Sequence, residues 1–600
     1  MSTYHAPVKD MLFCMKELAN LDAVAKLPGF EEAGIDTAAA VLEECARFNE
    51  NVVAPLNREG DVNPSSFKDG RVTTTPGFKQ AFRQFAEGGW QGLQHPSDFG
   101  GQGLPKTIAA ACIEMLNSAN LSFALCPLLT DGAIEALLTA GTPQQQQTYI
   151  PHFIDGSWTG TMNLTEPQAG SDLALVRTRA EPQPDGSYKL FGTKIFITYG
   201  EHDMADNIVH LVLARVSGAP EGVKGISLFI CPKVLPDGQR NDVQCVSIEH
   251  KLGIKASPTA VLQYGDGTAA KNVNGTGPGA VAWIVGQENR GLEYMFIMMN
   301  AARYAVGVQG IAVAERAYQQ AVAYARDRVQ SRPVDGSINK SAPIIHHPDV
   351  KRMLLTMRAY TEGCRAMAIV AAAAFDAAHH DPDASTRAQN QAFYEFLVPL
   401  VKGFSTEMSL EVASLGVQVH GGMGYIEETG AAQLLRDAKI LTIYEGTTAI
   451  QANDLVGRKT ARDGGQVAKA IAGQIEATER ALGGRASAAC RATHKHLSAA
   501  RAAFVEVVDF VAGQTKASPN AVFAGSVPYL MLAGNVVAGW QLARALVVAE
   551  DKAGEDAAFM GAKAATARFY AEHILSKVPG IRDSIVEGHA AVTEMATEAF

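Results

Sequence analysis

Lys189-Leu-Phe-Gly-Thr-Lys-Ile-Phe-Ile-Thr198 marks the point where this chain changes period. It is rich in β-branched and aromatic residues, as a strand is, and Pro184-Asp-Gly186 just before it supplies a turn. Ile208-Val-His-Leu-Val-Leu-Ala214 and Ile226-Ser-Leu-Phe-Ile230 are further short β-rich runs, so a β domain is expected over 159–286. On either side the spacing is helical. Between Pro76 and Thr148 apolar residues recur as in Ile108, Ala109, Cys112, Ile113 and Leu116, and Thr37 to about Glu50 reads the same way. A helical domain is therefore expected over 37–158, behind an N-terminal extension, 1–36. After Gly291 come candidate helices at about Leu292–Arg328, Asp349–Ala378 and Asn390–Gly416, long enough to pack as a bundle over 287–460. Gly464-Gly465 and Gly483-Gly484 then punctuate an Ala-rich helical module, 461–600. The expected class is mainly α with a central β domain.

Composition narrows the function. A chain of 600 residues with 47% hydrophobic and 19% charged residues has apolar surface for large cores, which excludes global disorder and favours roughly two to four domains. The 52 Lys and Arg against 62 Asp and Glu give a net charge of −10, and no long basic block offers an electrostatic footprint for DNA. The 8 cysteines are dispersed without C-x-x-C spacing and read as reduced thiols. The amino terminus lacks the basic and apolar stretches of an export signal, so a cytoplasmic location is expected. Ala521–Ala543 carries no charge and is long enough to span a bilayer, but Gly525, Pro528, Gly534, Asn535 and Gln541 interrupt it. A buried helix starting near Ser526 fits it better than a membrane span. His346-His347, His379-His-Asp381 and His494-Lys-His496 have no Cys or paired acids at metal-site spacing, so no metal is expected.

Chemistry concentrates in a few segments, each with a plain structural reading as well. Met162-Asn-Leu-Thr-Glu-Pro-Gln-Ala-Gly-Ser-Asp172 reads equally as a loop turn, and Lys194-Ile-Phe-Ile-Thr198 as a core strand. Gln418-Val-His-Gly-Gly-Met-Gly-Tyr425 has glycines near a helix end that would let amides approach an anion, yet it lacks G-x-G-x-x-G spacing and a preceding strand. In Arg436-Asp-Ala-Lys-Ile-Leu-Thr-Ile-Tyr-Glu-Gly-Thr-Thr448, Glu445 stands at a break between helices and could serve only as a cap.

Taken together and in order, these segments closely resemble the acyl-CoA dehydrogenase flavoproteins over about Thr37 to Arg458. The length and helical tail are most similar to the large bacterial members, including the 3-methylthiopropionyl-CoA dehydrogenase group and related fatty acyl-CoA dehydrogenases. The resemblance implies a helical domain, a β-barrel domain and a four-helix bundle, here with a C-terminal extension. It implies α,β-dehydrogenation of an acyl-CoA to trans-2-enoyl-CoA, in which Glu445 abstracts the α-proton and N5 of FAD takes the β-hydride. A redox cofactor is required because no side chain accepts hydride. The enolate-like oxygen would be held by the Glu445 N–H and a ribityl hydroxyl.

By the same resemblance Met162, Leu164 and Thr165 would line one side of the flavin, and Phe196 with Thr198 the other. The family often has Tyr and Trp where this chain has Met162 and Phe196. Arg328 would reach the FAD pyrophosphate of a neighbouring subunit, Gln418, Gly421 and Gly422 would cradle that same FAD, and Thr447 would contact FAD. Ser331 and Ala449 depart from the family's pattern beside these positions. Ser171, Arg303 and Gly446 would contact the CoA thioester, with Asn300 where smaller members often have Asp. Electron-transferring flavoprotein is the implied partner. The long tail would cover the surface smaller members use to pair dimers, so a homodimer is expected. The sequence leaves an acyl-CoA oxidase using O2 and a non-catalytic nucleic-acid-associated flavoprotein as alternatives, although the acidic balance and Glu445 oppose the second. Acyl-chain length depends on the packing of side chains such as Met298 and Met299, with 3-(methylthio)propionyl-CoA among the candidates.

Overall fold

A computed structural model describes residues 4–268 and 278–600, so residues 269–277 of the expected β domain lie outside the described residues. The chain divides into two compact units, one of residues 48–104 and 119–302, the other of 1–47, 105–118 and 303–600.

The first unit combines helices with the β domain. Asn120 caps the helix Leu121–Ala140, its Oδ1 accepting the Phe123 N–H at 3.1 Å. That helix is apolar around nearly its whole circumference and buried to match. The next helix, Pro143–Ile154, holds the Gln144–Gln147 run and opens with a reciprocal box: Thr142 Oγ1 accepts from Gln145 N, and Gln145 Oε1 accepts from Thr142 N.

A hairpin, β1 (Ser66–Lys68) and β2 (Arg71–Thr73), precedes the main sheet. The sheet strands are β3 (Trp158–Asn163), β4 (Arg179–Pro182), β5 (Tyr188–Thr198), β6 (Asn207–Val216), β7 (Ser227–Pro232), β8 (Val243–Ile248), β9 (Thr259–Tyr264) and β10 (Ala280–Val285). Their order is β10-β7-β6-β4-β5-β9-β8, with β3 parallel to β6. A further antiparallel pairing of β10 with the start of β5 closes β10, β7, β6, β4 and β5 into a barrel and gives β10 a partner on its second side. Leu190, Val212, Phe229, Leu262, Tyr264 and Ala282 are among the side chains filling it.

The second unit is helical. Its bundle helices are Pro348–His380, Ala384–Pro399, Ser405–His420 and residues 303–327 of the helix Gly291–Asp327. The helix expected from Asn390 starts six residues earlier, at Ala384, at a signal the apolar spacing did not reveal: Asp383 caps it, its Oδ2 accepting Thr386 N at 2.7 Å. It also runs past Gly416, through a π-helical turn at Leu400–Phe404, and ends at His420. Pro399, which has no N–H to give, immediately precedes that turn. The extension adds Gln466–Gly483, Ala488–Gln514, Ser526–Asp551, Ala557–His573 and Val578–Val586. The uncharged stretch does form a helix from Ser526, with Tyr529, Leu530, Leu532, Val536 and Val537 buried inside the unit.

Candidate active site

Glu445 sits in the loop between the helices Ala431–Leu441 and Thr448–Val456. Its φ of 55° lies in the left-handed region, and Gly446 follows at 92°. An L-residue in that region is strained, and it persists only where its surroundings hold it. Here they do. Tyr444 donates its hydroxyl to Gln309 Oε1 at 2.6 Å, and Gln309 donates to Asn117 Oδ1 at 3.0 Å. Lys402 Nζ donates to the Leu441 carbonyl at 2.8 Å and the Gly446 carbonyl at 2.7 Å. Gln451 Nε2 reaches the Glu445 and Gly446 carbonyls at 3.3 and 3.4 Å. The Glu445 carboxyl itself accepts no side-chain hydrogen bond among the described residues. Desolvation raises its pKa to about 7 against the opposing charges of Lys402 and Arg303.

Arg303 is 5% exposed, and its Nε has no hydrogen-bond partner among the described residues. Its nearest acid is Asp454, with Nη1 to Oδ2 at 3.9 Å, too long for a hydrogen bond. Burial lowers its pKa, and Asp454 and Glu445 oppose that. A buried guanidinium with donor capacity to spare, beside a desolvated carboxyl, is costly to the fold and suited to an anionic or carbonyl oxygen brought in from outside. Thr447 caps the following helix, its Oγ1 accepting Ile450 N at 3.3 Å, which leaves its proton free to donate elsewhere.

Other expected site residues of this unit are exposed. Arg328 ends the helix Gly291–Asp327, and Gln418, Gly421 and Gly422 lie at the end of Ser405–His420. The Tyr324 and His420 rings stack 4.4 Å apart, which brings these two helix ends together. Gly421 has a φ of 59°, and a Cβ on Gly421 or Gly422 would meet nothing within 4 Å, so the backbone there is open to a ligand.

In the other unit, Ile195 N–H donates to the Thr165 carbonyl at 3.0 Å, joining the 162–165 segment to β5. The register of β5 against β9 shifts between Lys194 and Ile197, and in that bulge Phe196 adopts a φ of 59° and is 60% exposed. Phe196 is exposed and Met162 and Leu164 are partly buried, apolar groups of the kind a flat ring system packs on, so these residues fit a flavin. Ser171 is exposed on the loop before Asp172. Next to Leu164 is a buried pair that sequence reasoning did not single out. Lys194 Nζ donates to Glu166 Oε1 at 2.8 Å and to the Leu164 carbonyl at 3.0 Å. Lys402 and Gln451 were missed too. The signal for Lys402 was a lone lysine in the apolar run Phe396–Phe404.

A desolvated glutamate on a pinned left-handed loop, its pKa moved toward neutrality, marks a candidate functional site in a protein built of a β-barrel and a helical bundle. The acyl-CoA dehydrogenase N-terminal domain matches residues 36–157, the middle domain 161–266 and the C-terminal domain 289–459; an acetyl-CoA dehydrogenase C-terminal-like domain matches 467–596. The chain is 55% identical over 580 residues to 3-methylmercaptopropionyl-CoA dehydrogenase of Ruegeria pomeroyi, covering 96% of each. It is 34% identical to the broad-specificity linear acyl-CoA dehydrogenase FadE5 of Mycobacterium tuberculosis, covering 100% of both. Among solved structures, an acyl-CoA dehydrogenase of Bacillus anthracis complexed with FAD has the same fold, with a TM-score of 0.73 at 21% identity over 94% of this chain and 89% of that one. The chain belongs to the acyl-CoA dehydrogenase family, whose members are oxidoreductases.

Proposed function

We propose that the protein dehydrogenates an acyl-CoA thioester to the trans-2-enoyl-CoA, with Glu445 as the base and FAD as cofactor. The observation that carries this is the Glu445 carboxyl, desolvated, free of hydrogen bonds among the described residues and poised at about pH 7. Such a group abstracts a weakly acidic α-proton better than a solvated carboxylate does. FAD, when bound, supplies the hydride acceptor that no side chain offers. Met162, Leu164, Thr165, Phe196 and Thr198 would hold its ring system, Arg328, Gln418, Gly421 and Gly422 would hold the FAD of a second subunit, and Thr447 would donate to it.

Ser171, Gly446 and Arg303 would engage the thioester ligand, and the Glu445 N–H would stabilise developing negative charge on the thioester oxygen. The identity to the Ruegeria pomeroyi enzyme supports 3-methylmercaptopropionyl-CoA as a substrate, and the likeness to FadE5 supports linear acyl-CoAs. Electrons would pass to electron-transferring flavoprotein, the chain would act as a homodimer, and its location would be cytoplasmic.

Anaerobic mixing with a panel of these thioesters, followed by flavin absorbance, tests the reading. Glu445→Gln should slow flavin bleaching by at least about 10²- to 10⁴-fold, the usual worth of a positioned base. Bleaching at the parent rate would reject it. The panel, read as kcat/KM, assigns chain length. Rapid peroxide formation on admitting air would identify an oxidase instead.

A further inference from the structure

The loop carrying Glu445 is gripped by a lysine with no solvent contact. Lys402 is 0% exposed, yet it lies in an apolar run and its Nζ is aimed at the loop's two ends. The turn that carries it is closely packed. A Cβ on Gly307 would come 2.3 Å from the Val401 carbonyl oxygen, and one on Gly403 would come 2.6 Å from Leu530 Cδ2. One on Gly534 would come 2.2 Å from the Phe404 ring. The absent side chains of Gly307, Gly403 and Gly534 therefore let the π-helical turn pack closely against its neighbours. The turn inserts an extra residue per helical cycle, and π-turns of this kind recur at functional sites.

We propose that Lys402 is a positioning residue for the dehydrogenation. Its ammonium donates to both the Leu441 and Gly446 carbonyls and so ties the two ends of the loop together, which holds Glu445 left-handed. Gln451 reinforces the grip on Gly446, while Tyr444 is anchored from the other side by Gln309. Lys402 also supplies positive charge near the base. The charged groups that face this cluster are Arg303 and Lys402 toward Glu445, Glu407 toward Lys402, and Asp454 and Arg458 toward Arg303. The desolvated lysine is itself lowered to about 7, with Glu445 and Glu407 opposing the shift. Removing its charge leaves Arg303 alone to favour the Glu445 carboxylate, so the Glu445 pKa should climb.

The proposal rests on Glu445 being the base, and the experiment separates the two. Lys402→Met and Lys402→Gln are compared with the parent and with Glu445→Gln in FAD loading, melting temperature, thioester binding and the pH dependence of flavin bleaching. A misplaced base should slow bleaching by about tenfold to a hundredfold in K402M, with thioester affinity close to the parent's. K402Q, whose amide can still donate to one carbonyl, should retain more of the rate. In both variants the acidic limb of the pH profile should move to higher pH. So should the infrared carboxyl titration that E445Q abolishes, recorded without substrate. Parent rate and parent limb in K402M overturn the proposal. So does a lower rate that tracks only lost FAD or melting temperature with the limb unmoved. If K402M does not fold, an unmoved limb in K402Q overturns it. Normal bleaching by E445Q removes the base assignment instead, whatever the lysine variants do.

Discussion

Nη1 of Arg365 stands 2.8 Å from Oδ2 of Asp10, a pair separated by 355 positions in the chain. The same guanidinium bonds Glu114 and Glu315, and Lys563 bridges Asp10 and Glu362. The network therefore joins the N-terminal segment, the bundle and the C-terminal extension within one unit, and all its members are at most 11% exposed at the side chain.

Arg365→Met should be severely destabilising. It strands Glu114 and Glu315 without a counter-charge, and removing one partner of a buried ion network costs about 3–5 kcal/mol. Urea denaturation of the variant should show a loss of that order, and a change below about 1 kcal/mol would mean that water solvates the acids.

Flavin bleaching should depend on pH through the base. The Glu445 pKa is raised to about 7 by burial, so below that pH the carboxyl holds its proton and cannot accept another. The rate should fall tenfold for each pH unit below about 7. Stopped-flow traces across the range check this. An acid limb at the ordinary carboxylate value would show a solvated glutamate.

Gly446→Ala tests the loop geometry without touching a charge. The residue has a φ of 92°, and its Cβ would lie 2.7 Å from Gln451 Nε2. Left-handed strain costs about 1–3 kcal/mol. The variant should fold with a lowered melting temperature and lose about a hundredfold in bleaching rate through a misplaced base.

Glu166→Leu tests the buried ion pair next to Leu164. Glu166 accepts from Lys194 Nζ, from the Arg177 and Thr178 N–H groups and from the Thr178 hydroxyl. Without it the buried Lys194, already lowered to about 8 by desolvation, loses its counter-charge. The expected loss is about 3–5 kcal/mol near neutrality. The sign of its pH dependence follows from the lysine. The unfolded chain holds a proton that the folded variant's lysine gives up more readily than the parent's, so the loss should shrink as pH rises through about 8, where the parent's folded lysine also becomes neutral. Denaturation at two pH values measures both.

Much of this protein was legible in its sequence because the signals are local. Period changes separate the strands of the β domain from the helices, and Ser526 marks the start of a helix whose apolar face continues all round. The ordered motifs around Met162, Gln418 and Glu445 identified the family. The roles of Lys402, Gln451 and Gln309 were not legible, because they depend on carbonyls and side chains that come near only when distant segments pack. The Phe196 bulge, the grip on the Glu445 loop and the orphaned Nε of Arg303 likewise exist only in three dimensions. A sequence states which groups are present; how far each is desolvated, and which opposite charge stands beside it, is decided by packing.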